Sequence, residues 1–257
     1  MDAVRRESDI EASHDTKASV SSEPTSDSPP VPTPDEERNG GPPTTRRHEE
    51  GFVELPVPGF LSAVTYLPRR EAIALVVATH GAGGSPEWEC EYWYRLSRGG
   101  MQLLCLRGTS LGRNYPGSFY YENHLRLEAE FKAALRAFEG GTETTPKVLI
   151  YAGFSQGAIM GAPMIVAHAS RFSRLVLIEG GFEYWSRGTA RKFAKNGGKK
   201  VLFLCGTGYC NSRSRVPADW LASEGVDVRL EHVTGAGHTP AGEVMQRLEA
   251  QLPWIVE

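Results

Sequence analysis

Beyond Gly51 the chain alternates short apolar runs with longer mixed stretches. Residues 73–79, 102–106, 148–152, 175–178 and 201–205 are each nearly unbroken apolar runs, too short for a helix, and the less apolar 226–233 follows. Runs of this length suit strands buried on both faces, as in a parallel sheet covered by helices. Ahead of them, 52–57 and 62–67 read as a strand pair around Pro58-Gly59. Helical patterns fill the intervals at 88–98, 123–138, 156–169, 185–196, 217–224 and 241–252. The clearest is 123–138, where Leu127, Phe131, Ala134, Leu135 and Phe138 approximate one stripe and Gly140-Gly141 ends it. Strand–helix alternation predicts an α/β fold, a doubly wound and mostly parallel sheet flanked by helices. The connection 181–199 holds about one helix, which leaves no space for a cap domain there.

Three motifs fall at the carboxyl ends of three predicted strands. His80-Gly81-Ala82-Gly83-Gly84 follows the first, Gly153-Phe154-Ser155-Gln156-Gly157 follows the third, and Gly235-Ala236-Gly237-His238 follows the last. A serine between a buried strand and a helix, with glycine two places to either side, can occupy a turn so tight that a Cβ at the flanking positions would clash. Such a turn lifts the Ser155 hydroxyl above the sheet and aims the Gln156 N–H and the helix N-terminus at a developing oxyanion. Chance supplies the Gly-x-Ser-x-Gly spacing in roughly one chain of this length in five to ten, so the placement carries the weight. The Ala82 N–H is the candidate for the second oxyanion donor, since an amide needs no particular side chain. No Gly-Lys-Ser/Thr or Gly-x-Gly-x-x-Gly follows His80, which removes a phosphate loop.

Of the other histidines, His14 and His48 lie in the first 50 residues, and His124, His168 and His232 lie in predicted elements. Only His238 sits in a glycine-flexible loop late in the chain, and the order serine then histidine fits a nucleophile–base pair. These motifs, in this order over residues 51–257, resemble the α/β-hydrolase superfamily, in particular its compact, capless esterase, thioesterase and dienelactone-hydrolase-like members. The resemblance implies Ser155 as nucleophile, His238 as base, and the Ala82 and Gln156 amides as the oxyanion hole. It also implies an acid after the strand 201–205, where residues 206–217 contain no carboxylate. Glu179, directly after the strand 175–178, is the first candidate to replace it. Asp219, expected in the first turn of a helix begun by Pro217, is the second, and Asn211 could orient the histidine without a charge.

Charge divides the chain. Residues 1–50 carry 6 Lys/Arg against 12 Asp/Glu, 7 of the 17 prolines and no aromatic residue, which predicts a disordered acidic tail ahead of a hydrolase domain at 51–257. The net charge of −3 points to no nucleic-acid partner, and no apolar run is long enough to span a membrane. The start of the chain has no apolar stretch of a secretory leader, which favours the cytoplasm. Cys105 and Cys205 lie in apolar runs, where a free thiol acts as a small hydrophobe; Cys205 and Cys210 could pair, though the spacing does not demand it. No cysteine or histidine spacing implies a metal, and no cofactor is expected. Tyr115, Phe119, Tyr120, Tyr121, Phe182, Tyr184 and Trp185 cluster in two loops at the motif-bearing edge, either as a pocket for an apolar group or as packing of the sheet's rim. The expected reaction is hydrolysis of a carboxylic ester or thioester through an acyl-enzyme on Ser155. A peptidase or acyltransferase on the same residues, or a non-catalytic binding module, are the alternatives.

Overall fold

A computed structural model describes residues 51–257. The expected tail at 1–50 lies outside the described residues. Strands β1 (Val53–Leu55) and β2 (Ala63–Tyr66) pair antiparallel, and β2 runs antiparallel to β4 (Gln102–Leu106). From there β3 (Leu75–Thr79), β7 (Leu149–Phe154), β8 (Arg174–Ile178), β9 (Lys200–Cys205) and β10 (Asp227–His232) continue in parallel, giving the order β1-β2-β4-β3-β7-β8-β9-β10. Strands β3, β4, β7, β8 and β9 are almost wholly buried because both faces are covered, while β10 at the edge is only partly buried. Leu75 and Val77 face one layer, Val76 and Ala78 the other, as the two-residue period of a strand requires.

The first layer holds α2 (His124–Gly140), α3 (Gln156–Ile165), α4 (Arg187–Lys195) and α5 (Gly208–Ser223), with Phe131, Ala162, Phe193 and Leu221 against the sheet. The second holds α1 (Pro86–Ser97) and α6 (Glu243–Val256), with Trp93, Leu96, Val244 and Leu248 inward. This is the doubly wound architecture expected, with no cap in the connection between β8 and β9. Among the described residues no helix is long and apolar enough to cross a membrane.

Three expectations are corrected. A small hairpin, β5 (Thr109–Ser110) with β6 (Phe119–Tyr120), lies in a stretch whose Ser/Gly content shows no strand pattern. Helix α5 starts at Gly208 instead of 217, capped by the Thr207 hydroxyl, which accepts from the Cys210 N–H at 3.2 Å. Its first half has no apolar stripe and so reads as a loop, and Pro217 sits inside the helix without ending it. Asp219 therefore lies late in α5 and exposed, away from any first turn. Finally, Cys105 and Cys205 are not free thiols. Cys90 of α1 bridges to Cys105 of β4, and Cys205 to Cys210, with Cα–Cα distances of 5.7 and 5.5 Å.

Candidate active site

Strand β7 delivers the chain into Ser155 with φ 49° and ψ −115°, a conformation that L residues rarely adopt. Its neighbours permit it. A Cβ on Gly153 would stand 2.6 Å from the Ala158 nitrogen, and one on Gly157 would strike the Thr79 and His80 carbonyl oxygens. The Ser155 N–H donates to the Ile178 carbonyl at 2.8 Å and the Gly157 N–H to that of His80 at 3.1 Å, tying the turn to both adjacent strand ends. Strain held by such a frame is a mark of functional sites.

Glu179 is a second non-glycine residue at positive φ, 53°. It turns its carboxylate inward at the end of β8, where the side chain is only 2% exposed. Burial of a carboxylate demands donors, and three arrive from one stretch. The Gly206 and Thr207 amides donate to Oε1, the latter at 2.8 Å, and the Thr207 hydroxyl donates to Oε2 at 2.9 Å. His238 completes the set, its Nδ1 3.1 Å from Glu179 Oε2 and its Nε2 2.8 Å from Ser155 Oγ. A carboxylate at Nδ1 selects the tautomer that carries its proton there, leaving Nε2 to accept from the serine hydroxyl. The structure thus brings Ser155, His238 and Glu179 into one hydrogen-bonded line. Asn211, in the first turn of α5, makes no bond to His238, and Asp219 lies elsewhere on that helix.

The loop after β3 forms the opposite wall. Gly81 lies so near the serine that a Cβ there would stand 3.2 Å from Ser155 Cβ. The loop is locked by Gly83 N–H to the Phe119 carbonyl at 2.8 Å and Phe119 N–H to that of Gly84 at 2.9 Å, so the unforeseen β6 serves as its brace. His80 is buried beneath it, its ring nitrogens 2.7 and 3.0 Å from the Gly81 and Arg107 carbonyl oxygens, and burial pushes its pKa down. The Gln156 side chain accepts from the Tyr121 N–H at 2.8 Å. The Ala82 and Gln156 N–H groups form no bond to other described residues.

A cavity of about 460 Å³ opens beside His238, lined by Ala82, Gly83, Trp88, Phe154 and Pro240 among others and by no Asp, Glu, Lys or Arg side chain. Trp88 is its one large exposed aromatic. It stacks on Tyr92 with ring centroids 5.7 Å apart, and the Tyr92 hydroxyl donates to the Pro240 carbonyl at 3.1 Å. Sequence reasoning passed over Trp88 as part of a helix. The available signal was its place in the first turn after the glycine loop, hence at the same sheet edge. Of the aromatic loop residues, Phe119, Tyr121, Phe182 and Trp185 are buried in the rim, while Tyr115 and Tyr184 are exposed.

No family model matches this sequence, and no curated protein does. Solved structures do. Esterase PE8 is 21% identical with a TM-score of 0.54, over 74% of this chain and 96% of its own. A thermostable carboxyl esterase from Bacillus coagulans is 10% identical with a TM-score of 0.59, over 76% and 94%. Est1E from Butyrivibrio proteoclasticus is 12% identical with a TM-score of 0.57, over 80% and 99%. At these identities the likeness is one of fold.

Proposed function

Since the chain has the compact α/β-hydrolase fold, we propose that it is a serine hydrolase acting on a carboxylic ester or thioester. The observation that carries this reading is the hydrogen-bonded line from Ser155 Oγ through His238 to Glu179, at 2.8 and 3.1 Å, on a strained serine. Ser155 attacks the carbonyl carbon while His238 Nε2 takes its proton, and Glu179 stabilises the imidazolium. The Ala82 and Gln156 amides receive the oxyanion, aided by the N-terminus of α3. His238 then protonates the leaving oxygen or sulfur, and a water activated by the same nitrogen releases the acid. The uncharged cavity beside His238, with Trp88 on its wall, favours a substrate with an apolar or aromatic group. Esterase names among the structural neighbours agree with this assignment.

Labelling with a fluorophosphonate probe tests it, because the probe reports an activated serine without a known substrate. The wild type labels, and Ser155→Ala and His238→Ala do not. Absence of labelling on folded wild type would overturn the assignment in favour of a non-catalytic binding module.

A further inference from the structure

We infer that the Cys205–Cys210 disulfide is a positioning element of this site, holding Glu179 against His238 through the residues it encloses. The inference rests on the catalytic assignment above. Three consecutive residues, Cys205, Gly206 and Thr207, set the placement of both the acid and the base. The Cys205 carbonyl accepts from the Val233 N–H at 2.8 Å and the Gly206 carbonyl from the Gly237 N–H at 3.1 Å, which fixes the loop bearing His238. On the other side the Gly206 and Thr207 amides and the Thr207 hydroxyl hold the Glu179 carboxylate, while the Glu179 N–H donates to the Leu204 carbonyl at 3.0 Å. Gly206 is pressed against the Gly237 carbonyl, so a side chain there would drive the two loops apart.

What anchors this segment is the bridge. The Thr207 hydroxyl both caps α5 and donates to Glu179, so the start of the helix and the acid share one group. From Gly208 to Val216 only Cys210 and Ser214 are buried, while Tyr209, Ser212, Arg213, Arg215 and Val216 are exposed. That end of α5 has no apolar stripe to fasten it, and the bond to Cys205 takes the place of one. The two sulfurs and a Glu179 carboxylate oxygen lie within 4.8 Å of one another. The Cys90–Cys105 bridge instead joins α1 to β4, four places from β9 in the sheet order.

The test compares two double variants with wild type, using a p-nitrophenyl ester as substrate and fluorophosphonate labelling rate as a second readout. Cys205→Ala/Cys210→Ala is expected to lower kcat by about 10- to 100-fold with KM nearly unchanged, and to take on the pH profile of Glu179→Gln. Combined with Glu179→Gln it gives the loss of Glu179→Gln alone and not the product of the two, because both changes remove the same restraint. Cys90→Ala/Cys105→Ala lowers Tm but keeps kcat. If the first pair does not fold, Cys205→Val/Cys210→Ala refills the buried volume without a bridge and is judged by the same criteria. A folded variant lacking this bridge but retaining the wild-type kcat and pH profile would overturn the inference. So would wild type purified with Cys205 and Cys210 as free thiols and full activity. Failure of wild type to label would instead overturn the underlying assignment.

Discussion

The two halves of the site are held by different means. Around Ser155 the constraint is steric: glycines at 81, 153 and 157 stand where a Cβ would meet backbone or the serine itself. Around Glu179 it is a set of hydrogen bonds fastened by a disulfide, with the residue itself held at a φ that glycine would adopt more cheaply. Steric necessity leaves a trace in sequence as glycine spacing. A hydrogen-bonded nest leaves almost none, because amides donate whatever side chain they carry.

The contrast predicts unequal responses to substitution. Gly157→Ala should have the largest effect, since its Cβ meets the Thr79 hydroxyl and two carbonyl oxygens at once. We expect a loss of about 3 kcal/mol or more in chemical denaturation, with labelling of Ser155 reduced beyond detection. Thr207→Val should be milder. It removes one donor to Glu179 and the cap of α5 but keeps both amides, so kcat falls about tenfold and stability by about 1–2 kcal/mol.

Trp88→Ala bears on the cavity rather than on either half. KM for an aryl ester should rise about tenfold, while kcat on a small acetyl ester stays within about twofold of wild type. A uniform fall in kcat for both substrates would place Trp88 in the framework instead of the pocket wall.

The last prediction concerns stability alone. Glu89 is wholly buried in α1, accepts from the Trp93 indole N–H at 3.1 Å, and leaves its second oxygen unpartnered. Burial pushes its pKa up to about 8 from 4.5, so it is a neutral acid in the native state at neutral pH. A carboxyl raised in this way stabilises the fold fully below its unfolded value, and that contribution is lost as pH rises toward about 8. Wild type should therefore lose Tm between pH 5 and 8 more steeply than Glu89→Gln, which cannot ionise. Parallel curves for the two proteins would refute it.

The same contrast explains what the sequence could disclose. The buried runs announced the sheet, and the three glycine-bearing motifs at strand ends drew Ser155, His238 and the Ala82–Gln156 wall to one edge. Glu179 stood beside Asp219 and Asn211 as a candidate because nothing in Glu179-Gly180-Gly181 tells which way the carboxylate points. Its direction comes from a positive φ and from donors 27 and 28 residues away. Asp219 was misplaced because the first half of α5 lacks the periodicity that marks a helix. The Cys90–Cys105 bridge is not legible because Cys90 meets Cys105 only once α1 packs on the sheet, whereas Cys205–Cys210 stands as a possible pair that the spacing alone does not require. Trp88 was hidden by its helix, although its position after the glycine loop placed it correctly.

Parallel measurement of kcat/KM for Glu179→Gln and Asp219→Asn addresses the hydrogen-bonded line itself. If Glu179 orients and stabilises His238, Glu179→Gln falls about 10³- to 10⁴-fold while Asp219→Asn stays at the wild-type value. A Glu179→Gln enzyme that keeps its activity while Asp219→Asn loses it would contradict the assignment of the acid.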